Sequence, residues 1–194
     1  MKKFITIIFL LNLSLSNAYS ITPEEFVQST VDRASEILSK NISKEEKING
    51  LKIIATETVD IKGVGFYSLG STRKVLNDNQ KKKYFSLFKN YFLKSFSSRL
   101  AEYTNPKIEV RSKKVINENY TIVKSILVST TDRPEVKIDW RVYTKNPDNP
   151  LIRDLIIEGL SLARTQKEEF ASILNSNDGD INILFKTLEN FTKN

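Results

Sequence analysis

The segment spanning residues 136–161 limits the fold more than any other part of the chain. In Val136–Tyr143 apolar side chains alternate with polar or hydroxyl-bearing ones, which predicts a strand with one buried face and one face toward water. A second apolar strand, Leu151–Ile157, follows residues 144–150, a run of turn-forming residues with two prolines and two asparagines. The sequence therefore predicts an antiparallel pair of strands.

Helices are predicted before these strands. Residues 22–25 (TPEE) and 43–46 (SKEE) have the spacing of capping boxes, in which a hydroxyl and a glutamate satisfy each other's backbone N–H groups, and each box is expected to open a helix. A long aromatic helix follows. We expect Asp78 to cap it and residues 79–102 to form it.

After residues 105–106 the hydrophobic period changes from that of a helix to that of a strand. Residues 108–111 and 120–130 are predicted to form two further strands, and helices are expected again from Thr165 onward. The order of helices, about four antiparallel strands and helices is typical of the α+β class. The helices and the sheet each have an apolar face, and the two faces could enclose a space.

The amino terminus has the pattern of an export signal. Two lysines follow Met1, residues 4–15 are mostly apolar, and small residues end the stretch at Ala18. The apolar run is shorter than the roughly 18 to 20 residues that cross a bilayer. We therefore predict a cleaved signal peptide, residues 1–18, and a single domain, residues 19–194. The complete lack of cysteine in an exported chain favours the bacterial periplasm.

The composition excludes several classes of function. The chain has no histidine, which excludes histidine-based catalytic triads and removes a common zinc ligand, so neither a metal nor a cofactor is expected. It has no Gly-x-Ser-x-Gly motif and no glycine-rich phosphate loop. The formal net charge of +7 fits an anionic lipid surface or a phosphate group, and equally a background charge. The sequence has no concentrated stripe of lysine and arginine, so it does not indicate a nucleic-acid partner.

The long helix carries an apolar, mostly aromatic seam at positions 85, 88, 92, 96, 100 and 103. Such a seam is typical of a packed core, but the helices together carry more apolar surface than one modest sheet can cover. A concave apolar site between helices and sheet would suit a hydrophobic ligand. The lysines at residues 81–83, in the first turns of this helix, are expected to be a solvated face, with a partner-docking or head-group patch as the alternative.

A phospholipid is a ligand of suitable size for such a site. Two acyl chains of about sixteen carbons fill roughly 900 Å³, near the top of the usual range for binding pockets. They carry roughly 25 kcal/mol of transfer free energy, at about 0.8 kcal/mol per CH₂. Unassisted transfer through an aqueous compartment is therefore very slow, and a carrier with a dry cavity removes that barrier.

Five features, in this order and spacing, resemble the MlaC or toluene-tolerance family. They are the helix start at residues 23–26, the turn at residues 68–70, the aromatic helix YFSLFKNYFLKSFSSRLAEY, the strand VKIDWRVYTK and the segment IIEGLSLARTQKEEFASIL. The resemblance covers essentially all of residues 19–194. It implies a periplasmic, non-enzymatic phospholipid-binding protein in which a curved antiparallel sheet and the helices enclose an apolar cavity.

The resemblance also implies partners. A protein of this family carries phospholipid between an outer-membrane lipoprotein complex and an inner-membrane ABC transporter complex with a substrate-binding Mla subunit, and so maintains the lipid asymmetry of the outer membrane. We expect this chain to be a monomer.

The candidate lipid contacts follow from the resemblance, from strand alternation and from apolar helix positions. Val136 and Leu160 match family positions that line the cavity. The other candidates are Ile138, Trp140, Leu155 and Ile157 on strands, and Phe66, Leu69, Phe85, Phe88 and Phe92 on helices.

The segment around Leu160 is also expected to have a structural role. Gly159 is predicted to let the chain turn into the following helix, and Ser161 to cap that helix. Where the family commonly has Gly-x-Trp before the last strand, this chain has Asn-Pro-Leu at residues 149–151. This departure affects the expected hairpin geometry and leaves the expected cavity unchanged.

Two other functions stay open at this point. One is a hydrolase or transferase that acts on lipid through carboxylates such as Asp132, Asp139 or Asp154. The other is a non-catalytic envelope docking module whose apolar face meets another protein.

Overall fold

The computed structural model describes residues 21–131 and 133–193, so the predicted signal peptide lies outside the described residues. The helices are α1 (Pro23–Ser39), α2 (Lys44–Thr58), α3 (Ile61–Ser68), a 3₁₀ helix (Gly70–Lys74), α4 (Asp78–Leu100), α5 (Leu162–Asn175) and α6 (Ile181–Lys193). The strands are β1 (Ile108–Asn117), β2 (Tyr120–Leu127), β3 (Val136–Tyr143), β4 (Leu151–Ile157) and β5 (Leu160–Ser161). Helices therefore precede and follow the sheet, as predicted.

The helix starts follow the local sequence. Both predicted capping boxes, at residues 22–25 and 43–46, form. The cap of α4 is Asn77, so the prediction of Asp78 was wrong by one residue. The reason is a reciprocal pair of hydrogen bonds: the Asn77 side chain accepts the Gln80 N–H at 2.9 Å, and the Gln80 side chain accepts the Asn77 N–H at 3.0 Å.

The described strands form one antiparallel sheet in the order β1-β2-β3-β4-β5. The predicted pair β3 and β4 forms with the expected bounds, and Trp140 lies opposite Leu155. The four predicted strands form, and the two-residue strand β5 adds to them. β1 is longer than predicted and β2 is shorter. The register between them shifts at Arg111 and at Ile116, which stay unpaired in two bulges.

The fifth strand arises at a tight turn. Glu158 and Gly159 have positive φ angles of 48° and 85°, so the chain reverses within two residues and β5 pairs with β4. α5 starts directly afterwards, at Leu162 and not at the predicted Thr165, because Ser161 Oγ accepts a backbone N–H of its first turn at 3.1 Å. The predicted roles of Gly159 as the turn residue and Ser161 as the cap are confirmed.

Apolar side chains form two cores. The first, called here the α1-side core, lies between α1 and one face of the sheet. Its buried residues are Val27, Val31, Val123, Ile138, Trp140, Val142 and Ile152. The second, the helical core, is built mainly from α3, α4, α5 and α6. Its buried residues are Ile61, Val64, Leu69, Leu76, Tyr84, Phe88, Ala163, Phe170, Leu174, Ile181, Leu184, Phe185 and Leu188.

Candidate functional site

A groove of about 730 Å³ lies on the face of the sheet opposite the α1-side core. On β3, Trp140 and Val142 belong to the α1-side core, and Arg141 between them reaches the groove. The other side of the groove comes from α3, the 3₁₀ helix and the start of α5. The lining residues are Gly63, Val64, Phe66, Tyr67, Arg73, Ile116, Tyr120, Ile122, Arg141, Arg153, Asp154, Ile156 and Ala163.

A bulge in β4 shapes the groove. Arg141 pairs with Asp154 and the next residue of β3 pairs with Ile152, so Arg153 is the extra residue of β4. This extra residue lets Arg153 and Asp154 both reach the groove, although they are neighbours in sequence, and leaves Ile152 in the α1-side core. Two charged side chains therefore lie side by side in the groove.

Arg153 fastens α3 to the sheet. Its Nε donates to Asp60 Oδ2 at 2.7 Å, and Asp60 Oδ1 caps α3 by accepting the Gly63 N–H at 2.8 Å. The guanidinium also donates to the Tyr120 hydroxyl and lies 3.6 Å from the centre of the Tyr143 ring. Burial opposes the charge, but the hydrogen bonds to Tyr120 and Asp60 outweigh it and raise the pKa of Arg153.

Asp154 fastens the start of α5. Its side chain is 2% exposed. Oδ2 accepts the Ser161 hydroxyl at 2.6 Å, and Oδ1 accepts the Ala163 N–H at 3.0 Å. Both oxygens of this carboxylate therefore have structural partners. Asp139, the second carboxylate of the hydrolase interpretation, is half-buried on β3, and Asp132 lies outside the described residues.

A smaller cleft of about 450 Å³ lies between α1 and β1. Its lining is largely polar and includes Asp32, Lys107 and Glu109. Gln28 spans it and accepts the Val110 N–H at 3.2 Å. A cleft of this polarity does not suit an acyl chain.

The strand residues predicted to contact lipid lie on the α1 side of the sheet. Ile138 and Trp140 are buried in the α1-side core, and Val136 and Leu155 pack against it. The Trp140 Nε1–H donates to Ser125 Oγ at 2.8 Å. Two strand candidates remain. Ile157 is half-buried opposite Ile138, and Leu160 is 60% exposed on β5.

The helical candidates divide between the groove and the helical core. Phe66 lines the groove. Leu69 and Phe88 are buried in the helical core, and Phe92 packs against that core. Phe85 is half-buried and belongs to neither core.

Several groove residues were not among the sequence-based candidates. Among them are Ile122, Arg141 and Ile156, and alternation had assigned the face of Arg141 on β3 to water. The alternation identified the two faces of β3 correctly, but it carried no information about which helices cover each face. A cue was present in β4, where Arg153 and Asp154 interrupt an otherwise apolar strand.

Two of the three lysines at the start of α4, Lys81 and Lys83, have partners within the described chain. Lys81 lies 3.7 Å from Asp78. Lys83 lies 3.5 Å from Glu189 and 5.1 Å from the centre of the Phe185 ring. Both lysines are partly exposed, so these pairs are weak contacts at the surface.

Known proteins resemble this chain over most of its length. Residues 28–190 match the family described as MlaC protein. The chain belongs to the MlaC family. Among relatives of this MlaC chain is the intermembrane phospholipid transport system binding protein MlaC of Haemophilus influenzae. It is 25% identical over 187 residues, which cover 90% of this chain and 87% of the relative.

A solved structure has the same fold as this MlaC chain. It is the phospholipid-binding protein from Ralstonia solanacearum in complex with a phospholipid, with a TM-score of 0.75 and 18% identity over 89% of this chain and 98% of that one. The predicted α+β class and family membership are confirmed. Within residues 21–131 and 133–193, no helix is long and apolar enough to cross a bilayer. The same residues contain no cluster of three or more carboxylates suited to a metal ion.

Proposed function

We propose that this MlaC chain is a non-catalytic phospholipid carrier that takes acyl chains into the groove between α3 and the sheet. The groove itself carries the proposal, because buried Val64, Ile122 and Ala163 give it an apolar lining. The names of the two relatives, a phospholipid transport binding protein and a phospholipid complex, support the same ligand.

The size of the groove bears on how a lipid loads. Its volume of about 730 Å³ lies within the usual range for small-molecule sites and below the roughly 900 Å³ that two acyl chains fill. The groove therefore has room for one acyl chain and part of a second. Each buried CH₂ contributes about 0.8 kcal/mol, so even partial entry of the chains holds a lipid away from water.

Of the residues predicted from sequence to contact lipid, Phe66 is the one that we place at the groove. We add Ile122 and Ile156, which face it from the sheet. The other ten candidates stay predictions, and a lipid-bound structure of this chain would check them residue by residue.

The wider role follows from the family. We propose that the signal peptide at residues 1–18 exports the chain to the periplasm of a Gram-negative bacterium. There it would carry phospholipid between the outer-membrane lipoprotein complex and the inner-membrane ABC transporter complex, and so maintain outer-membrane lipid asymmetry. The relative's name, which places it in an intermembrane transport system, supports this role.

Lipid analysis of protein purified without detergent tests the proposal. Native mass spectrometry of the wild type should show bound phospholipid. Ile156→Lys places a charge in the groove and should abolish lipid retention. Ile126→Lys is the matched control, because Ile126 is half-buried on the same sheet face and does not line the groove.

Circular dichroism and Trp140 fluorescence establish that both variants are folded. Wild-type protein that is always empty, and that takes up no phospholipid from vesicles, would sink the proposal. Release of the bound lipid as hydrolysed products during long incubation would favour the hydrolase interpretation instead.

A further inference from the structure

The groove has more positive charge than its structural contacts use. Three arginines, Arg73, Arg141 and Arg153, and a single carboxylate, Asp154, are among its lining residues. Arg153 donates to Asp60 and Tyr120 and lies against the Tyr143 ring. The guanidinium groups of Arg73 and Arg141 are not held by hydrogen bonds in this way.

Arg141 has unused hydrogen-bond donors. Its nearest carboxylate oxygen, Asp154 Oδ2, is 3.9 Å away, which is too far for a hydrogen bond. Both oxygens of Asp154 already accept from Ser161 and Ala163. The Arg141 side chain is 44% exposed and, within the described part of the chain, it donates no hydrogen bond. Its planar set of N–H donors is therefore free to bind a ligand.

Arg73 is also free. It lies in the 3₁₀ helix, across the groove from the sheet, and is exposed. Among residues 21–131 and 133–193 it has neither an ion pair nor a side-chain hydrogen bond. Arg73 and Arg141 thus approach the same groove from two different elements.

The balance of charge indicates a monoanion. Asp60 offsets Arg153, and Asp154 offsets one of the two remaining arginines, so about one positive charge of the groove is uncompensated. A phosphodiester carries one negative charge, and guanidinium groups match the spacing of phosphate oxygens.

The distribution of apolar and charged residues in the groove determines the orientation of a bound ligand. Val64, Ile122 and Ala163 are buried, whereas Arg73 and Arg141 are exposed to water. A ligand with apolar chains and one anionic group therefore places its chains inside and its charge at these two arginines. We propose that Arg73 and Arg141 bind the phosphodiester of a phospholipid at the mouth of the groove. This inference rests on the proposed function.

A competition between two lipids with identical acyl chains tests the inference. The exported protein is incubated with phosphatidylcholine vesicles that contain equal small amounts of phosphatidylglycerol and diacylglycerol, and bound lipid is then measured by mass spectrometry. The wild type should take up phosphatidylglycerol in preference to diacylglycerol, which lacks the phosphate. In the double variant Arg73→Ala/Arg141→Ala this preference should fall about ten-fold, with diacylglycerol uptake retained.

Arg99→Ala is the control, because Arg99 is an exposed arginine of α4 outside the groove and should leave the preference unchanged. An unchanged preference in the double variant, with normal uptake, overturns this inference alone. Uptake of neither lipid by the wild type overturns the proposed function as well. If the double variant no longer binds inorganic phosphate but keeps the wild-type lipid preference, the arginines bind free phosphate and the assignment to lipid is wrong.

Discussion

Removal of the Asp154 carboxylate tests how α5 is held against the sheet. Asp154→Ala leaves the buried Ala163 N–H without its acceptor, which costs about 1–3 kcal/mol. It also removes the hydrogen bond from the Ser161 hydroxyl to a charged group, worth about 1.5–3 kcal/mol. The variant no longer buries a charged carboxylate, and this gain offsets part of the cost. We therefore expect the free energy of unfolding to fall by about 3 kcal/mol, and by about half as much in Asp154→Asn, which keeps one acceptor.

Urea unfolding followed by the fluorescence of Trp140 measures this loss, because Trp140 is the only tryptophan and is 7% exposed in the folded chain. The m value should be the same in the variant and the wild type. On heating, Tm should fall by about 6–12 °C, at about 2–4 °C per kcal/mol for a domain of this size. Asp148→Ala, an exposed change in the loop before β4, should stay within about 0.5 kcal/mol of the wild type.

A loss below about 1 kcal/mol in Asp154→Ala would refute the assignment, since such a loss is ordinary for a surface change. Lost lipid uptake with unchanged stability would likewise show that the carboxylate acts on the ligand and does not hold α5. Both outcomes are separable in one preparation, because the unfolding signal and the bound lipid are measured independently.

Gly65→Ala should lower the free energy of unfolding by about 1 kcal/mol, measured from the urea midpoint. The new Cβ would lie 2.7 Å from the Phe88 ring, and this overpacking outweighs the better helix propensity of alanine. Ser97→Ala should instead raise it by up to about 1 kcal/mol, because the buried Ser97 hydroxyl has no hydrogen-bond partner within the described chain; a lower midpoint would contradict this. Hydrogen bonds within their capping boxes lower the pKa of Glu25 and of Glu46 from 4.5. The contribution of these two carboxylates to the stability of the fold is therefore complete above pH 4.5 and is lost as the pH falls through the lowered pKa values. The urea midpoint is therefore measured at neutral pH and at a pH well below 4.5, for the wild type and for the double variant Glu25→Gln/Glu46→Gln. On acidification it should fall less in the variant than in the wild type. Equal falls would contradict a stabilising role of the two capping boxes.

Local patterns in the sequence were enough to predict most elements. Alternation predicted β3, and an apolar run after a turn-forming segment predicted β4, both with their observed bounds. The capping boxes predicted the starts of α1 and α2. These features depend on residues within a few positions of one another, as do the turn at Gly159 and the cap at Ser161. The start of α4 was misplaced by one residue because Asn77 and Asp78 are both good caps, and only the bonds with Gln80 decide between them.

The groove could not be predicted in the same way, because it depends on contacts between distant parts of the chain. Arg153 meets Asp60 across 93 positions of sequence, and this contact brings α3 over the sheet. The bulge that turns Arg153 and Asp154 toward the same side adds one residue to β4, which alternation alone does not reveal. The face of Arg141 was therefore expected to meet only water.

The bulges of β1 have a consequence for how the protein behaves at high concentration. β1 is an edge strand of the sheet, and an open strand edge is a template on which another chain can add. Arg111 and Ile116 interrupt the ladder at two places, and the exposed Lys114 lies between them. Two copies that met edge to edge would face broken hydrogen-bond patterns and like charges. The irregular edge therefore disfavours fibre-like association of folded copies at high protein concentration.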